Sequence, residues 1–271
     1  MEEIEKINAL DELFSSSSKY KQSDEFYNLL KFINKFPYLS PFNAFLIHMQ
    51  NSSASIVLSA EKWKKYDRKV RYQTKPYIIL VPFGPVEFVF NISDTEPIEG
   101  KEEDLPIELL NPFLTRGEFN IDIFNRTCNN AIKEGILYKE YIMQEGAAGH
   151  ATTTQNGSFI VNINASYSTN EKYSTLVHEL AHIYCGHLGT FKNNWWKSRN
   201  SFSVEVNEIE AESVSYLVCK RFGLKTSSNY YLSSFITEKK MLPEISIERI
   251  LTVSNHIERM GMPGFKKKPI K

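Results

Sequence analysis

The chain has 271 residues, 42% of them hydrophobic and 13% aromatic, with 32 basic against 32 acidic side chains. That apolar content excludes an intrinsically disordered chain, and the length suffices for one large domain or two small ones with a real core. A net charge of zero gives no global field toward nucleic acid or membrane, so any such preference has to be local.

Residues 1–22 are polar, with four consecutive serines at Ser15 to Ser18, and lack the basic and apolar parts of a signal peptide; they are expected to be flexible. From Ser23, the residues Phe26, Leu29, Leu30 and Ile33 fall at helical spacing until Pro37 stops the run. Ser40 then caps a second helix, with Pro41 at its first position and Phe42, Phe45, Leu46 and Met49 on its apolar side. Ala54 to Leu58 reads as a short strand, Ser59 as the cap of a basic helix AEKWKKYDRKVR, and Pro76 to Phe90 as a hairpin around Phe83, Gly84 and Pro85. The prolines and Glu87 interrupt the longest apolar stretch, Tyr77 to Phe90, so it is no membrane span. Residues 99–112, rich in Glu and Pro, are the expected linker.

Beyond the linker, helical spacing runs from Phe113 to Gly135, and Ile136 to Met143 reads as a strand. Gly146 to Gly157 reads as a Gly/Thr loop carrying His150, and Ser158 to Asn164 alternates as another strand. The next segment, YSTLVHELAHIYCGH, is the chemically distinctive one. His178 and His182 are four residues apart, hence on one face of a helix, where both imidazoles reach a single ion. Zinc suits such a pair, and Glu179 is placed to take a proton from a water activated by that ion. Ser168 with Glu171 forms a capping-box pattern ahead of this helix, and Gly186 is its expected stop.

A catalytic zinc usually takes three protein ligands. No Asp occurs after Asp122, so a downstream acidic ligand is drawn from Glu205, Glu208, Glu210 and Glu212, on a helix expected to end near Gly223. Glu208 and Glu212 share a face, which lets Glu208 bind the ion while Glu212 accepts the remaining ring N–H of a liganding histidine. His150, Tyr184, His187 and Tyr216 are the side chains considered for hydrogen bonding to a developing oxyanion. Trp195 and Trp196 sit in the loop between the two helices, either lidding a cleft or anchoring the loop. A last helix is expected over Glu244 to Met260, followed by a basic tail. Cys128, Cys185 and Cys219, odd in number and far apart, argue against a disulfide framework and for a reducing, cytoplasmic setting.

HELAHIYCGH followed by an E-x-E-A helix resembles the ImmA/IrrE group of metallopeptidases, within the gluzincin class. The resemblance implies that His178, His182 and Glu208 hold the metal, that Glu179 is the general base, and that Phe159 to Ile163 holds an extended peptide beside the metal helix. It further implies an intracellular protein substrate, such as a transcriptional repressor cut in response to stress or mobile-element signals.

In the first half, Lys62, Lys64, Lys65, Arg68, Lys69, Arg71 and Lys75 stand against the single acidic Asp67, with Trp63, Tyr66 and Tyr72 interleaved. Basic residues track phosphates and aromatic rings stack bases, a combination that holds single-stranded nucleic acid. PFNAFLIHMQ, SAEKWKKYDRKVR and the hairpin ending VFNISDTE resemble, in layout, the N-terminal single-stranded-DNA-binding domain of ArdC-type antirestriction proteins. The expected architecture is therefore α+β. A small N-terminal α/β domain (23–98), a possible DNA-binding module, is followed by a helix-rich zincin-like domain with a small sheet (113–262) and a tail (263–271).

Overall fold

The computed structural model describes residues 20, 22–81, 84, 86–101, 105, 119–144, 146–191, 194–200, 202–224, 232 and 241–267. It is a mixed α+β protein with two compact units, one of residues 31–117 and one joining 1–30 to 118–271. Residues up to Leu30 group with the second half of the chain, and the 31–117 unit contains the segment 99–112. Most of the segment expected to be flexible, 1–22, lies outside the described residues, as do 268–271 of the tail. No helix among the described residues is long and apolar enough to cross a membrane.

Helix α1 (Ser23–Asn34) has residues in both units. In the 31–117 unit, α2 (Pro41–Gln50) starts where Ser40 accepts from the Asn43 N–H, with proline at the first position as expected. The strands β1 (Val57–Leu58), β3 (Tyr77–Ile79) and β4 (Glu87–Asn91) form an antiparallel sheet in the order β1-β4-β3. The open edge of β3 is not left bare. Asn43 bonds both the N–H and the C=O of Leu80, and Gln50 does the same for Ile78, at 2.8–3.0 Å. Two amide side chains of α2 thereby take the place of a fourth strand and satisfy an edge that would otherwise invite pairing.

The basic segment departs from the expected helix. Helix α3 covers only Ala60–Lys64, Asp67 adopts a left-handed φ of 53°, and β2 (Arg68–Val70) pairs with β5 (Thr95–Pro97). The left-handed residue breaks helical continuation, and the β-sheet ladder then captures the residues that follow.

In the other unit, α4 (Ile121–Lys133) leads into β6 (Ile136–Tyr141), β7 (Gly149–Thr153) and β8 (Phe159–Asn164). Their order is β6-β8-β7, with β6 parallel and β7 antiparallel to β8. Two expectations fail here. The Gly/Thr segment is a strand rather than a loop. Phe159 to Ile163 is paired on both sides, so it has no free edge for a peptide; the sheet edges belong to β6 and β7.

Three long helices complete this unit: α5 (Thr169–Cys185), α6 (Val204–Arg221) and α7 (Ile247–Gly261). Ser168 and Glu171 make the reciprocal capping box, and Gly186 ends α5 in a left-handed conformation. Leu176, Val177, Leu180, Ala181 and Ile183 of α5 are fully buried, as are Ile209, Val214, Leu217 and Val218 of α6 and Ile250, Leu251, Val253 and Ile257 of α7. Each buried Leu, Ile or Val side chain contributes about 1.5–3 kcal/mol by leaving water. This core fixes the rotation of α5 about its axis, and so decides where its two histidines point.

Candidate metal centre

With its apolar residues committed to the core, α5 turns His178 and His182 toward α6. Their Nε2 atoms lie 3.0 Å apart. Glu208 of α6 completes the group, with one carboxylate oxygen 3.6 Å from His178 Nε2 and the other 3.5 Å from His182 Nε2. Glu212, one turn further along α6, lies 3.5 Å from His178 Nδ1. The structure therefore brings together His178, His182, Glu208 and Glu212. Glu205 does not join them.

The donor chemistry of this group fits a cation. His178 Nδ1 faces a carboxylate, which favours the proton on that nitrogen and leaves a lone pair on Nε2. Burial, then His178 and His187, push the His182 imidazole down to about 3, so it is neutral and able to ligate. Two ring nitrogens and a carboxylate then converge. A tetrahedral ion 2.0–2.1 Å from each nitrogen would space the two nitrogens by about 3.3 Å, a few tenths of an ångström more than observed.

Glu179 is buried beside the two histidines, its carboxylate accepting from the Ala151 N–H of β7. Burial raises its carboxyl above the usual range, and Glu208 and Glu212 push the same way, while His178 and the Ala151 N–H oppose them. The Ala151 bond follows from the sheet. Asn164 N–H donates to Ala148 O and Thr154 N–H to Ser158 O, which places the hydrogen-bonded pairs of the β7–β8 ladder at even-numbered β7 positions. Gly149, Ala151 and Thr153 accordingly turn their backbone groups to the open edge. Gly149 is needed there, since a Cβ would stand 2.6 Å from Asn162 O and 2.7 Å from a Thr175 methyl. A cleft of about 350 Å³ opens between β7, α5 and the start of α6, lined by His150, Glu179, His182, His187, Asn207 and Glu208 among others.

The four side chains considered for an oxyanion separate cleanly. Tyr184 donates its hydroxyl to buried Glu134 at 2.6 Å, and Tyr216 is buried with its ring 6.1 Å from that of Tyr27, so neither faces the cleft. His187 lines the cleft, but both of its nitrogens are engaged, with His182 at 3.1 Å and Glu210 at 3.0 Å. His150 keeps an exposed ring on the cleft, 3.2 Å from the Asn162 amide. Trp195 stacks on Tyr184 and Trp196 is buried, so the tryptophans anchor their loop.

Three further contributors stand out: the sequence does not single out Asn207 or Arg199, and offers Glu210 only as one of four candidate ligands. Asn207 lines the cleft with a buried amide oxygen that has no partner. Glu210 is fully buried and bonded to His187, to Arg199 through both carboxylate oxygens, and to the Ser246 N–H at 2.7 Å. Arg199 is the third. Cys185, His187 and Glu210 also cluster closely enough to hold an ion. Arg199 already neutralises Glu210, however, and burial, then the Glu210 charge, push the Cys185 thiol far up, so this trio lacks the anionic donors a cation needs.

The nucleic-acid residues also separate. Trp63 is wholly buried and donates its indole N–H to Phe90 O at 2.9 Å, packed with Ile56 and Leu58, so it cannot stack a base. Arg68 donates to Thr95 at 2.8 and 3.2 Å, and Lys69 and Arg71 face Glu96 at 3.3 and 3.8 Å. Lys62, Lys64, Lys65 and Tyr72 are exposed.

No protein-family model and no curated protein matches the chain. Among solved structures, it is similar to the antirestriction ArdC protein from the R388 plasmid. The metal-free form aligns at 15% identity with a TM-score of 0.35, and the Mn(II)-bound form at 16% with a TM-score of 0.36. Each alignment covers 81% of this chain and 81% of the ArdC chain.

Two predictions concern the scaffold. At Gly186, φ is +85° and an added Cβ would stand 2.1 Å from Lys197 O. Gly186→Ala is expected to lower stability by about 3 kcal/mol or more in urea unfolding, through backbone strain and this overlap. Glu134 supplies a pH signature. Burial works to raise its carboxyl, but the His256 and Tyr184 hydrogen bonds outweigh it and hold it below its usual 4.5. The stability this contributes is present above that pH and is lost as pH falls through the folded value. Wild type should therefore lose urea stability below pH ~4.5 more steeply than Glu134→Gln.

Proposed function

We propose that this chain is a zincin-like, zinc-dependent endopeptidase of the ImmA/IrrE kind acting on an intracellular protein. The observation that supports this reading most is the convergence of His178 Nε2, His182 Nε2 and the Glu208 carboxylate, with Glu179 buried alongside in the same cleft. His178, His182 and Glu208 would hold the ion. A bound zinc supplies Lewis acidity toward a water and toward the scissile carbonyl.

The chain's own residues do the rest. Glu179 accepts a proton from the attacking water as its oxygen bonds to the carbonyl carbon, then delivers that proton to the amide nitrogen as the C–N bond breaks. Its raised affinity for a proton suits this shuttle. The open edge of β7 runs along the cleft, and an extended substrate would pair with Gly149, Thr153 and the Ala151 carbonyl by strand addition, the Ala151 N–H being held by Glu179. His150 is placed to hydrogen-bond the oxygen on which charge develops. The test is a peptide library incubated with zinc-loaded protein and read by mass spectrometry. Internal cleavage that disappears with a chelator is expected; an uncut library with folded, zinc-loaded protein would contradict the proposal.

A second reading has its own support in the exposure of Lys62, Lys64, Lys65 and Tyr72. In it the chain is an ArdC-like, DNA-binding antirestriction protein whose metal centre is structural or accessory. Replacing the three lysines with alanine should then weaken binding of a single-stranded oligonucleotide and flatten the log K against log[salt] slope by about 2. An unchanged slope would dismiss it.

A further inference from the structure

His182 has an unusual outer partner. A liganding histidine commonly donates its other ring N–H to a carboxylate, a backbone carbonyl or water. Here His182 Nδ1 lies 3.1 Å from Nδ1 of another histidine, His187. His187 Nε2 lies in turn 3.0 Å from Glu210 Oε2.

The direction of the chain of bonds is set at its far end. Glu210 is buried, and its oxygens accept from both guanidinium nitrogens of Arg199 and from the Ser246 N–H. Both oxygens are thus met by donors that have no acceptor capacity, so the carboxylate is an acceptor only. His187 must then place its proton on Nε2 to meet Glu210, which leaves Nδ1 an acceptor. His182 must donate from Nδ1 to reach that acceptor, which leaves its Nε2 lone pair aimed at His178 and Glu208. Each bond in the series excludes the wrong tautomer of the next ring.

The backbone is shaped to deliver both ends. The left-handed turn at Gly186 carries His187 back under His182, and Gly186 O accepts from the Arg199 N–H at 2.8 Å. The missing Cβ at Gly186 is what allows residues 197–199 to approach this closely.

We propose that Glu210, through His187, is a positioning relay that fixes the tautomer of His182 and so readies its Nε2 for the metal. The proposal rests on the metal-centre reading, but its first readout needs no metal. Long-range ¹H–¹⁵N NMR of the metal-free protein is expected to show the His182 proton on Nδ1. His187→Phe keeps a ring of similar bulk and removes both bonds; His182 should then shift toward the Nε2–H form. His187→Gln offers an amide oxygen to His182 and an amide N–H to Glu210, and should restore the Nδ1–H form.

Zinc affinity by chelator competition gives the second readout, with a fall of about 10- to 100-fold expected for His187→Phe and at least partial recovery for His187→Gln. An Nδ1–H tautomer that persists in His187→Phe with unchanged zinc affinity overturns the relay and leaves the metal centre standing. A wild type that binds no zinc while keeping the Nδ1–H form sinks the metal reading instead, and with it the purpose assigned to the relay.

Discussion

On the proposed peptidase reading, Glu179→Gln is expected to bind zinc as wild type does and to lose peptide cleavage. The amide oxygen of glutamine still accepts from the Ala151 N–H, so the contact holding the side chain against β7 survives. Glutamine cannot take a proton from water, and general-base contributions are worth about 10²–10⁴-fold. Cleavage of any peptide selected from the library should therefore fall by at least ~10²-fold. Zinc content should match wild type, since none of the three ligands is touched. Retention of wild-type turnover in this variant would dismiss the hydrolytic reading even with metal in place.

The second large effect belongs to the ligands. Structural zinc sites with four ligands bind with about 10–16 kcal/mol, so one ligand corresponds to roughly 3–4 kcal/mol, or about 10²–10³-fold in affinity. His178→Ala and Glu208→Ala are each expected to lose that much in chelator competition. Glu205→Ala, on the same helix but outside the group, should lose none. A loss on Glu205→Ala equal to that on Glu208→Ala would mean that α6 is rotated about its axis relative to the structure described above.

What could be read from the sequence divides along physical lines. The α5 helix was legible because all its signals are local: a capping box at Ser168 and Glu171, a four-residue histidine spacing and a terminal glycine. The Glu208–Glu212 pair was legible for the same reason, as one helical face. Strand β7 was not, because Gly149, Ala151 and the threonines around them read as a loop; only α5 and β8 packing on either side make an edge strand there. Glu210 reads from sequence only as one of four candidate ligands. Its burial depends on Arg199 and His187, which the chain brings in from the loop after α5. Trp63 misled in the opposite sense, since a tryptophan among lysines suggests stacking on bases, whereas this one fills the core beneath β4. Tyr184 likewise carries a polar hydroxyl on α5, but one turned away from the cleft and toward Glu134.

The most direct measurement is anomalous diffraction from crystals of the zinc-loaded protein, collected on both sides of the zinc absorption edge. One strong peak is expected within about 2.0–2.2 Å of His178 Nε2, His182 Nε2 and a Glu208 carboxylate oxygen. A peak lodged instead among Cys185, His187 and Glu210, or no peak near α5 at all, would contradict the proposed metal centre.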